Sequence, residues 1–115
     1  MYILNWNPES QLLEASLGGR LTRGEADCFL DEFSDILRSH DKERFQVVLD
    51  FAAVSRMDDD VPEVFETARD VAQFAGASIV TIVTRDDDEV TRLTTNRLQQ
   101  VLEGGERYVA YRLAG

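Results

Sequence analysis

Two runs, "FQVVLDF" at residues 45–51 and "SIVTIVT" at residues 78–84, constrain this chain more than any other feature. The first has the pattern of a buried strand. The second is β-branched and nearly continuous, as a strand covered on both faces is. Between them Val61, Val64, Phe65, Ala68, Val71, Ala72 and Ala75 fall on one arc at about 100° per residue, and Gly76 follows as a stop signal. Strand, helix and strand in succession, with short connections, call for parallel pairing.

The flanks extend the same alternation. "YILNW" is a short apolar run, "NPES" has turn chemistry, and "LLEASLGG" alternates with Leu13, Ala15 and Leu17 on one face. Together they predict a hairpin that ends in glycines. Thr22 and Glu25 have the spacing of a capping box, which opens a helix running to about His40. Its apolar side is Ala26, Phe29, Leu30, Phe33, Ile36 and Leu37. "AAVSRM" is read as the lead from the middle strand to the next helix, which begins near Asp60. "RDDDE" at residues 85–89 opens a third helix carrying Val90, Leu93, Leu98, Val101 and Leu102, and "RYVAYRL" is a last strand. The expected order is β-β-α-β-α-β-α-β. It forms one α/β domain over residues 1–115, with a mixed, mostly parallel sheet and an N-terminal β-hairpin.

Composition bounds what such a domain does. With 22 acidic and 12 basic residues the formal charge is −10, a field that repels nucleic acid and anionic lipid and suits basic protein surfaces. The only cysteine leaves no internal disulfide to form, and the start "MYILNWNPES" has no basic n-region or long apolar h-region. No apolar run approaches the roughly 20 residues that span a bilayer. The expected compartment is the cytoplasm, without direct membrane insertion.

Chemistry-bearing residues are sparse. Cys28 lies opposite the apolar arc of its helix, among Glu25, Asp31, Glu32 and Asp35, and such neighbours disfavour a thiolate. His40, the only histidine, ends that helix and is read as structural. Gly18-Gly19 and Gly104-Gly105 are isolated pairs read as turns, so no phosphate loop is present. Phe74 falls outside the arc of the second helix, on the side of Glu63, Glu66, Asp70 and Gln73. There it is either an ordinary exposed ring or an anchor for a partner.

The sharpest local feature is "MDDDVPEVF", with Asp58, Asp59 and Asp60 in a row before Pro62. Three readings compete. The plain one is a helix start: Asp60 and Glu63 have capping-box spacing, proline is accepted in a first turn, and the dipole favours negative charge there. A second is a charged recognition surface. The third is a magnesium or calcium site, but consecutive side chains do not converge, and the alternating ligands and central glycine of a calcium loop are missing. No metal, no cofactor and no catalytic residue is expected.

The element order and several motifs resemble the STAS domain, the module of bacterial anti-sigma-factor antagonists and of sulphate-transporter tails. "GRLT" at Gly19–Thr22 is similar to the segment that opens the family's first helix. "VVLDFAAVSRMDDDVPEV" is similar to the strand and loop before its second helix, and "VTRLTTNRL" to its third-helix segment. The resemblance covers essentially the whole chain. Position by position, Asp58 matches the family's aspartate, Asp59 stands where the phosphoacceptor serine stands, and Asp60 stands on the second hydroxyl residue. Val61, Pro62 and Glu63 replace Gly-Leu-Gly. The resemblance implies a non-enzymatic protein–protein interaction module of transcription regulation, with no phospho-switch at Asp59. Its implied partner is an anti-sigma factor of the serine kinase-like type with a basic surface. The implied interface is Asp58, Asp59, Asp60, Glu63, Glu66, Asp70 and Phe74. An accessory or regulatory subunit of a membrane transporter and, remotely, a carboxylate-metal enzyme are the alternatives.

Overall fold

The computed structural model describes residues 1–39 and 44–84, and the backbone of residues 106–110. Its elements are β1 (Tyr2–Asn7), β2 (Leu12–Leu21), α1 (Arg23–Ser39), β3 (Phe45–Met57), α2 (Val61–Phe74), β4 (Ala77–Thr84) and β5 (Glu106–Ala110). The expected third helix, "RDDDE" and His40 lie outside the described residues.

The strands form one sheet in the order β1-β2-β3-β4-β5, antiparallel between β1 and β2 and parallel thereafter. The mixed sheet with an N-terminal hairpin is therefore present. Its turn is closed by Asn7, whose Oδ1 accepts the N–H groups of Glu9 at 3.0 Å and Ser10 at 3.2 Å. The connections from β2 to β3 and from β3 to β4 step the same way across the sheet. Right-handed crossovers then place both helices on one face, where α1 packs against α2.

The core fills the space between sheet and helices. Leu13, Ala15 and Leu17 of β2 are buried there with Val47, Leu49 and Phe51 of β3 and Val80 and Ile82 of β4. Phe29 is its hub: the ring stacks on Phe33 at 5.3 Å, meets Phe65 at 5.1 Å and takes the edge of Tyr2 at 5.4 Å. Thr22 begins α1 as expected, its Oγ1 accepting the Glu25 N–H at 3.2 Å. The Glu25 carboxylate, however, pairs with the N-terminal ammonium.

Five sequence expectations are corrected. Gly18 and Gly19 are strand residues rather than a turn, paired with Ala53 and Val54 through register shifts on either side. A Cβ at Gly18 would make only an ordinary contact, 3.5 Å from that of Ala53, whereas Gly19 has φ +67°, a backbone conformation that favours glycine. Through the same strand pairing "GRLT" is mainly strand, with only Thr22 at the helix start. "AAVSRM" is not a lead but the second half of β3, held by that pairing with β2. On α2, Ala75 is exposed while Arg69 is buried at 2 % exposure. Arg69 lies four residues after Phe65 and three before Ala72, so helical spacing carries it to the core side despite its charge. In β4 Val80, Ile82 and Thr84 on the core face are buried and Ser78 is exposed, whereas on the opposite face Thr81 is buried and Ile79 and Val83 are half-buried.

Truncating the aromatic hub should be costly and truncating the exposed ring should not. Phe29→Ala is expected to lose about 3–5 kcal/mol in urea unfolding, against less than about 0.5 kcal/mol for Phe74→Ala.

Candidate functional site

The carboxyl ends of β2 and β3 lie side by side, because the two strands stay paired to Leu21 and Met57. The pairing carries one bond further, from the Asp58 N–H to the Leu21 carbonyl at 3.0 Å. The chain then turns, with the Val61 N–H donating to the Asp58 carbonyl at 3.0 Å, and enters α2 with Pro62 in its first turn. The aspartate run thus sits on the same sheet edge as the start of α1.

That placement, not capping, makes the run tolerable. Asp60 occupies the N-cap position but has φ −94° and ψ −3°, and its side chain makes no capping hydrogen bond. An N-cap carboxylate needs an extended backbone to turn back on the first N–H groups. The expected Asp60–Glu63 capping box is therefore absent. Instead, Arg20 Nη2 donates to Asp58 Oδ1 at 3.2 Å. Arg23 donates from Nε to Asp27 at 3.1 Å and from Nη1 to Asp60 at 3.4 Å, with Glu63 at 4.0 Å. Its hydrogen bond to Asp27, foremost, holds the Arg23 guanidinium above its ordinary pKa, with the charge of Asp60 adding to this.

Within the run the three carboxylates now differ. Asp58 is about one-third exposed and engaged, and Asp60 is engaged by Arg23. Asp59 is exposed and makes no ion pair or hydrogen bond among the described residues. Of the other expected interface residues, Glu63 and Asp70 are exposed and Glu66 is half-buried. Phe74 is 97 % exposed at the other end of the helix. At 1.5 Å per residue, the 14 residues of α2 separate the two ends by about 20 Å. The structure therefore spreads the seven residues along one helix rather than gathering them into a pocket. Cys28 is exposed. Arg20 and Arg23 were missed in the sequence, where 37 to 40 residues separate them from the acids they meet. The nearest signal was their position beside the helix-start residue Thr22.

Asp58 and Asp60 turn towards different arginines, and among the described residues no three His, Cys, Asp or Glu side chains come together as metal ligands. No described helix is long and apolar enough to cross a membrane.

The fold itself has solved counterparts. An uncharacterised protein of the DUF3478 family with a SpoIIAA-like fold, from Shewanella loihica PV-4, superposes with a TM-score of 0.63 at 9 % identity, covering 96 % of this chain and 84 % of the other. The anti-sigma factor antagonist SpoIIAA in its unphosphorylated form superposes with a TM-score of 0.61 at 13 % identity, covering 95 % and 87 %. The chain has a STAS-like, SpoIIAA-like fold. By sequence it matches no protein-family model and no curated protein.

Two measurements check the site. Exposed ion pairs contribute less than about 1 kcal/mol each and weaken with salt. Asp60→Ala should therefore cost less than about 1 kcal/mol in dilute buffer and nearly nothing at high salt, whereas loss of a cap would persist. Calorimetry with magnesium, calcium and manganese should show no stoichiometric micromolar site; one abolished by Asp58→Asn would restore the metal reading.

Proposed function

We propose that this chain is a non-enzymatic protein-binding module, acting as an anti-sigma-factor antagonist-like regulator in the cytoplasm. Its partner is an anti-sigma factor of the serine kinase-like type with a basic surface. Asp59, at the position of the family's phosphoacceptor serine, keeps the switch site permanently charged, so binding needs neither kinase nor phosphatase. The recognition surface runs from Asp58, Asp59 and Asp60 along Glu63, Glu66 and Asp70 to Phe74.

The observation that carries this reading is the division of the aspartate run. Its two outer members are held by Arg20 and Arg23, while the middle one projects alone from the turn before α2. Exposed and outside both ion pairs, its carboxylate is available to a partner's basic surface. A helix N-terminus tolerates an anion there, although one carboxylate carries less charge than the about −1.5 to −2 of a phosphoserine. The SpoIIAA likeness supports the class of role, with the fold as its sole basis.

Affinity capture from the native host supplies the partner for the test. Asp59→Ser should leave urea stability within about 0.5 kcal/mol and change partner affinity at least several-fold at low salt, where charge effects are largest. Unchanged affinity at low salt would remove the fixed-switch idea and leave the run as a solvated helix start.

A further inference from the structure

The far end of α2 carries a surface of different chemistry from the acidic turn. Both helices follow parallel strands and run the same way, so their last turns lie side by side. Between them is an almost wholly apolar cleft of about 300 Å³, lined by Ser34, Leu37, Arg38, Val71, Phe74 and Ala75. Phe74 stands at its rim with nearly all of its ring in solvent. An exposed ring beside an apolar cleft is the arrangement of a binding hot spot rather than of a solvated helix end.

Charge says what occupies it. Helix C-termini carry partial negative charge, and here two of them converge. A cation usually complements such an end, yet α2 has no basic residue in its last turn. Arg38, in the last turn of α1, is already bonded to Asp35. The chain as a whole carries −10, which opposes docking of a second copy and favours a cationic one. A basic amphipathic helix meets both demands at once. Its apolar stripe supplies side chains for the cleft, and its flanking lysines or arginines reach the helix ends and the face of Phe74.

We propose that the cleft between the last turns of α1 and α2 seats an apolar anchor of a partner's cationic amphipathic helix. The proposal rests on the reading that the chain works by binding protein, and it assigns Phe74 to a subsite about 20 Å from Asp59.

The test uses the whole chain and a synthetic 16-residue helix with a leucine stripe and lysines elsewhere, titrated by NMR. Shifts should cluster at residues 34–38 and 71–75, and Phe74→Ala should weaken binding about tenfold or more. A peptide of the same composition in scrambled order, and one with glutamate for lysine, should each bind about tenfold more weakly. Equal binding of either control, an unaffected Phe74→Ala, or shifts elsewhere would overturn the proposal. Asp59→Ser should leave peptide affinity unchanged; a loss would put the peptide on the acidic turn instead. Sedimentation of the chain alone that showed a Phe74-dependent dimer would give the cleft to a second copy, also overturning it. If the peptide fails while a captured partner still depends on Asp59, the cleft assignment falls and the functional reading stands.

Discussion

The long parallel pairing of β2 with β3 is the constraint on which the rest of this structure depends. It continues from Leu12↔Gln46 to Leu21↔Met57, through two register shifts. Within that stretch the backbone turns to positive φ at Gly19, a conformation that favours glycine. Two parallel strands that end at the same level launch their following helices side by side. The starts of α1 and α2 are therefore neighbours before any side-chain attraction acts between them.

That adjacency decides the electrostatics of the aspartate run. Arg20 and Arg23 come from the end of β2 and the first turn of α1, and Asp58 and Asp60 from the end of β3 and the cap of α2. Each pair is exposed and weak, so the fold does not rest on them. Their effect is on the surface: they screen the outer carboxylates and leave Asp59 as the projecting charge. The same sheet edge is where open α/β sheets present ligands and partners.

The helix layer has two chemically distinct ends as a result of its parallel arrangement. At one end the helix starts gather acids and two arginines. At the other the last turns gather Leu37, Val71 and Phe74 around an apolar cleft. An interface along α2 would use both ends of a span of about 20 Å, a length ordinary for a protein partner and too great for a small ligand.

The local periodicity of the chain determined much of this protein by itself. Alternation at Leu13, Ala15 and Leu17 set the core face of β2. Helical spacing set the buried side of α1 and left Phe74 outside, because strand and helix periods are properties of neighbouring residues. Thr22 likewise announced the start of α1, since a cap is made within four residues. Only the tertiary structure decided the lengths of β2 and β3, whose second halves exist through their mutual pairing across a bulge. It alone brought Arg20 and Arg23 to the aspartates, and it alone let Arg69 lie buried against the pattern of its charge. The capping box at Asp60 failed for the same reason. Residue spacing permits a cap, but the backbone angles that make one are set by how β3 leaves the sheet, and that depends on β2, about 40 residues away in the chain.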